Sequence, residues 1–300
     1  MRRNATGLWL GVVGLLATMG AHAATPRPTP AEHWQSDTPQ VFVDGMQLHY
    51  YGRFNEAGAE RLREVLSDAT DLRELHIASP GGDGLASIDI GTQIQARDLA
   101  VVVVGEGCAS GCANYVFTPA RQRTISPGSV VFWHYSCPPR KPERRARIAR
   151  RLRSSFDTAS FRYKAEDETG AIEDPAALRA NFEQNIDALV DAFLTMQRRA
   201  REGHTRIYDA NGIDDRIICL TDHLRLPEVP ERHVGFMYTL SVEDMARFGV
   251  CDVQARPDYA AWAEGYIAAD DALPEYAGVV RLSDHPRFRP RPARPCDERL

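Results

Sequence analysis

The stretch from Gly105 to Phe117 reads GEGCASGCANYVF and sets Ser110 between two cysteines. Ser110 follows an apolar, strand-like run and opens a helix-like one, so its hydroxyl lies in the positive field of a helix N-terminus. Serine attack on a carbonyl needs a hydroxyl, a base to take its proton, something to orient that base, and donors for the oxyanion. The backbone N–H of Gly111 is free to donate. A second donor is available at Gly81-Gly82, where the missing Cβ lets the backbone approach a substrate closely. His134 follows Ser110 by 24 residues and closes a later strand. Its neighbours Phe132, Trp133 and Tyr135 give a partly dry setting that suits a neutral imidazole base. Each residue also has a plain use: Ser110 as an N-cap, His134 as a hydrogen-bonded strand histidine, Ser79-Pro80-Gly81-Gly82 as a turn. Their placement on consecutive strand ends favours the chemistry.

The two cysteines compete for the same role. A thiol at a helix start is activated by the dipole. Yet Cys108, Cys112, Cys137, Cys219, Cys251 and Cys296 are even in number, with no Cys-x-x-Cys knuckle and no histidine pair at ligand spacing beside one. Disulfides are therefore expected over a metal site, with 15 connectivities open to six cysteines.

The elements that must carry these residues read as follows. Gln47 to Phe54 is a strand, and Asn55 to Asp68 an amphipathic helix capped by Asn55, with Ala57, Leu62, Val65 and Leu66 on one face. Glu74 to Ala78 is a strand ending in the Ser79-Pro80-Gly81-Gly82 turn, and Leu85 to Arg97 a helix. Leu99 to Val104 is a strand, apolar throughout as parallel strands buried on both faces are. Arg123 to Ile125 and Val130 to His134 are two more strands. Strands alternating with helices of this length indicate an α/β fold with a mostly parallel sheet, whose ligands bind beyond the strands' carboxyl ends. Arg140 to about Thr205 reads as a helical insertion, and its basic start (RKPERRARIARRLR) as a solvated helix face. Tyr238 to Val253 returns to a strand and a short helix capped by Ser241 and ended by Gly249.

The whole chain has 300 residues, 43% hydrophobic, with a net charge of −5 and a pI near 6.0. No global basic field exists to neutralise phosphates, so nucleic acid is not an expected partner. Arg2 and Arg3, the apolar run Leu8 to Met19 and the small residues of Ala21-His22-Ala23 have the form of a signal peptide over 1–23. An uncleaved anchor is the rival reading; the apolar run is short for a span. A periplasmic or secreted protein with no integral span after signal removal is expected. A Pro/Thr-rich linker at 24–40, an α/β domain at 41–255 and a Pro/Arg-rich extension at 256–300, extended or mobile at its end, complete the expected organisation.

Ile77 to Gly82 (IASPGG), Gly107 to Ala113 (GCASGCA), Arg123 and Phe132-Trp133-His134 resemble the ClpP/crotonase superfamily. They are most similar to exported ClpP-like serine peptidases with a Cys-x-Ser-x-Cys motif. The resemblance covers residues 45 to 135 well and 236 to 253 loosely. It implies a spiral of ββα units, Ser110 as nucleophile, His134 as base, Gly82 and Gly111 as the oxyanion hole, and a peptide or protein substrate. It implies no cofactor and no metal. Cys108 and Cys112 would then brace the nucleophile turn, through a disulfide to each other or to Cys137. The family's acid position falls on His233; Glu231, Glu228 and Asp222 are the nearest carboxylates, and none is singled out. The insertion occupies the region that builds barrel-shaped assemblies, so a double ring is not implied, though a homo-oligomer stays open. Two rivals remain: an inactive binding or scaffold protein with the same fold, and an acyl-CoA crotonase-type enzyme, which export disfavours.

Overall fold

The computed structural model describes residues 28–134, 143–156, 175–224, 236–270 and 276–296. The expected signal peptide, Cys137, Glu228, Glu231 and His233 lie outside the described residues.

The chain folds as α/β around a seven-stranded, mostly parallel mixed sheet. A hairpin opens it: β1 (Gln40–Asp44) pairs antiparallel with β2 (Gln47–Tyr51). From there β2, β3 (Glu74–Ser79), β4 (Ala100–Ala109), β5 (Arg123–Ile125) and the two-residue β8 (Val253–Gln254) run parallel in that order. The strand β6 (Val130–Phe132) leaves this path and pairs with the end of β4. A second, two-stranded parallel sheet joins β7 (Met237–Leu240) to β9 (Ala277–Val280), and Trp133 bridges to it through paired hydrogen bonds with Tyr238.

Helices α2 (Glu56–Asp68) and α3 (Gly84–Ala96) are set by their first residues. Asn55 accepts the Gly58 N–H and Asp83 the Ala86 N–H, each at 2.8 Å, satisfying donors that a helix start leaves open. In α2 the buried face is Gly58, Ala59, Leu62, Val65 and Leu66; Ala57, expected on it, is exposed. These helices share one core cluster with Leu48, Tyr50, Leu75, Ile77, Val101 and Val103. Each such side chain contributes roughly 1.5–3 kcal/mol by leaving water. In β4 the alternate residues Val102 and Val104 are only half-buried, so the strand is not buried on both faces as expected.

The helical insertion consists of α4 (Arg145–Phe156) and a 37-residue α5 (Pro175–Asn211), which runs past the expected end. Part of the basic face of α4 is turned to α5: Arg145 pairs with Asp187 and Asp191, and Arg153 with Glu183. Such exposed pairs contribute about 0–1 kcal/mol each. The C-terminal part of α5 joins the main core through Ile207 and Tyr208. A short helix α6 (Leu220–His223) follows, and α7 (Val242–Arg247) starts as expected, with the Ser241 hydroxyl accepting the Asp244 N–H at 3.1 Å.

The structure adds detail at both ends of the domain. The described part of the linker holds a one-turn helix, α1 (Pro30–His33), that packs beside β4, and β1 begins at Gln40. The C-terminal extension belongs to the body: α8 (Tyr259–Ala268) places the Tyr259 hydroxyl where it accepts the Val131 N–H at 2.9 Å. Residues 282–296 begin with a short 3-10 helix (Leu282–Asp284) and are pinned by the Cys251–Cys296 disulfide, by the Arg291 N–H to Asp214, and by Phe288 beneath the Arg216 guanidinium. Among the described residues, no helix is long and apolar enough to cross a membrane.

Candidate active site

The site begins with an irregularity in β4. Against β3, Ile77 pairs with Val103, but Ser79 pairs with Cys108, so Val104 to Gly107 bulge out of register. The bulge delivers the end of β4 to a new neighbour: Cys108 aligns with Val131 and Ala109 with Phe132. Ser110 comes next, and its N–H still donates to Phe132 O at 2.9 Å. Its φ is +54°, left-handed backbone that a residue with a Cβ adopts at a cost of about 1–3 kcal/mol. The Asn114 N–H then returns to the Ser110 carbonyl at 2.8 Å, and the chain continues into a π-helix over Ala113–Phe117, a form frequent at functional sites. The N-cap of this helix is Cys112, whose side chain makes no capping hydrogen bond.

The turn is closed by Cys108–Cys112, whose two sulfurs lie in residues 0% exposed. Among the open pairings this is the one found, and it excludes a thiol nucleophile at either position. Cys219 is disulfide-bonded too.

The second turn presses on the first. Gly81 has φ +85° and Gly82 φ +152°. A Cβ on Gly81 would lie 2.7 Å from Ala109 O, Gly111 N and the Ser110 Cβ. The turn is fixed from behind, because Phe54 N–H donates to Gly81 O at 2.8 Å and Asp83 N–H to Phe54 O at 2.9 Å. At Gly111 a Cβ would meet the Ser87 hydroxyl at 2.1 Å, so that position is also closed to side chains. The N–H groups of Gly82 and Gly111 have no acceptor among the described residues. Two free donors therefore flank Ser110.

His134 stands one residue beyond the Trp133 bridge and two beyond the end of β6, half-buried. Trp133 is fully buried, and its indole N–H donates to the Thr118 hydroxyl at 2.8 Å, which locks the strand end. Burial holds the His134 imidazole below the usual histidine value of 6.5. The imidazole and the Ser110 hydroxyl are not hydrogen-bonded to each other, and no described acid touches the ring. Asp222 is exposed on α6.

Two residues contribute more than the sequence suggested. Arg123, 2% exposed, donates to Phe117 O at 3.0 Å, to Thr118 O at 2.7 Å and to Cys251 O, capping the π-helix and tying it to the disulfide-linked tail. Asn114, a polar residue in an apolar run, bonds the His134 carbonyl at 3.4 Å; that isolated polarity was its only signal. Among the described residues, no cluster of three or more His, Cys, Asp or Glu side chains is placed to hold a metal ion. Neither a scan against protein-family models nor a search of curated proteins finds a match to this chain.

Proposed function

We infer that this chain is an exported serine hydrolase, a peptidase, of the ClpP/crotonase superfamily. The observation that carries the reading is Ser110 itself. It is a left-handed serine at a strand's carboxyl end, wedged between two glycine turns with free N–H groups, with its N–H bonded to Phe132 at the end of the strand that leads to His134. The spiral fold is supported by β4, which serves one set of neighbours before its bulge and another after it. Export is supported by the signal-like leader and by the disulfides.

In the reaction, the Ser110 Oγ attacks the substrate carbonyl while His134 takes the hydroxyl proton. The carbonyl oxygen becomes negative and is met by the N–H groups of Gly82 and Gly111. His134 returns the proton to the leaving amine, and water repeats the sequence on the acyl-enzyme. Removing one oxyanion donor from such a hole costs about 10²–10³ in rate.

Fluorophosphonate labelling tests this directly. Ser110 Oγ displaces fluoride from phosphorus, and its proton leaves through His134. Wild-type protein is expected to become modified at Ser110, and Ser110→Ala and His134→Ala to stay unmodified. Wild type that resists labelling, both oxidised and reduced, ends the hydrolase reading. A pH series adds a signed prediction. Because burial favours neutral His134, the acidic limb of the labelling rate is expected below pH 6.5. A limb at or above that value would show that another group titrates. The same shift means that the unfolded chain takes up this proton first on acidification. His134 therefore subtracts stability as pH falls below 6.5.

A non-catalytic binding role is the second reading. It is favoured by the missing Ser110–His134 hydrogen bond and the lack of a described acid on His134, although ligand-free sites are often looser than reacting ones.

A further inference from the structure

Asn114 lies one turn beyond Ser110 and is 1% exposed. Its backbone N–H donates to the Ser110 carbonyl at 2.8 Å, and its carbonyl accepts the Tyr208 hydroxyl of α5 at 2.7 Å. Its side-chain amide donates to the His134 carbonyl at 3.4 Å. One buried residue thus joins the serine turn, the histidine strand and the long helix. The other side-chain atom, Oδ1, is buried and has no hydrogen-bond partner. Buried amides are nearly always satisfied, and an orphaned acceptor is costly to keep. Its neighbours Ala113, Tyr115, Val116 and Phe117 are all buried, so an apolar side chain would suit the packing better. The amide needs another reason to be there, and it is bonded to the backbone of His134, whose ring meets no described acid.

We propose that Asn114 is the positioning residue of this site. Its amide holds His134 to the Ser110 turn and offers Oδ1 as the acceptor for the imidazole N–H once His134 has taken the serine proton. The inference rests on the hydrolase reading. The proton from Oγ goes to one ring nitrogen, the opposite N–H donates to Oδ1, and no further reactant enters. An amide does this without bringing a net charge into a dry site, where a carboxylate would need compensation.

The test is the pH dependence of fluorophosphonate labelling in the oxidised protein, for wild type, Asn114→Leu and Asn114→Asp. Near-ultraviolet circular dichroism sets the native fraction of each. Both variants keep the backbone bonds to Ser110 and Tyr208. Leucine is expected to slow labelling at saturating reagent about 10²-fold without changing the half-saturating concentration. Aspartate is expected to move the acidic limb upward, because a carboxylate beside the imidazolium favours the charged form. A leucine variant that labels at the wild-type rate, or a folded aspartate variant with an unmoved limb, overturns the proposal and leaves the hydrolase standing. If aspartate does not fold, the leucine rate decides alone. Wild type that never labels removes the hydrolase reading and the role of Asn114 with it.

Discussion

Gly81→Ala is expected to abolish labelling of Ser110 and to destabilise the fold by about 2–6 kcal/mol. Two separate effects combine. The backbone at φ +85° is left-handed, where a Cβ is strained whatever space surrounds it. The new methyl would also lie 2.7 Å from two backbone atoms, Ala109 O and Gly111 N, and from the Ser110 Cβ. No flexible side-chain end can yield there, so the strain must move one turn away from the other. The expected fall in melting temperature is roughly 10 °C, at about 2–4 °C per kcal/mol for a domain of 150–250 residues. Gly84→Ala is the control, since its Cβ would meet nothing within 4 Å and its backbone is helical. That variant is expected to match wild type in labelling and to be no less stable. A folded Gly81→Ala protein that labels within tenfold of wild type would show that the contact between the turns does not hold the nucleophile.

Arg123→Met is the second large effect, and it falls on stability. The guanidinium satisfies the carbonyls of Phe117, Thr118 and Cys251 from a position 2% exposed. Methionine fills similar volume but donates nothing, so the buried Thr118 and Cys251 carbonyls are left unsatisfied at about 1–3 kcal/mol each, while that of Phe117 keeps the Ala120 N–H. A loss of 3 kcal/mol or more is expected, read as a lower urea midpoint with the disulfides intact. Arg123→Lys is not expected to rescue it, because an ammonium lacks the planar fork that reaches carbonyls on two sides. Equal midpoints for wild type and Arg123→Met would mean that water or rearrangement replaces all three bonds.

What could be read from the sequence was what is local. Asn55, the α2 apolar face and the Ser241 cap each depend on residues within one or two turns; the two caps and Leu62, Val65 and Leu66 stand where expected, while Ala57 does not. The α/β class followed from alternation in the same way. The hairpin strand β1 was hidden because Gln40 to Asp44 follows prolines that resemble a linker, and its partner lies across a turn at Gly45. The full length of β4 was hidden by Gly105-Glu106-Gly107, which reads as a break although the chain pairs again beyond it. The pinned tail depends on Cys251 and Asp214, contacts 45 and 77 residues distant. At the candidate site, Ser110, His134, Gly82 and Gly111 were singled out by type and spacing. The left-handed serine and the role of Asn114 were not, since both arise from the fit of two turns that sequence does not place together.

The pairing of β5 has a consequence for how the molecule comes into being. Arg123 and Thr124 find their last neighbours in Val253 and Gln254, so the sheet edge nearest the nucleophile helix closes only when nearly the whole chain exists. Loop-closure entropy over that distance must be met before the contact returns anything. That edge is therefore a late product of folding. Until it closes, the carbonyls that Arg123 holds, including that of Cys251, are not yet brought together.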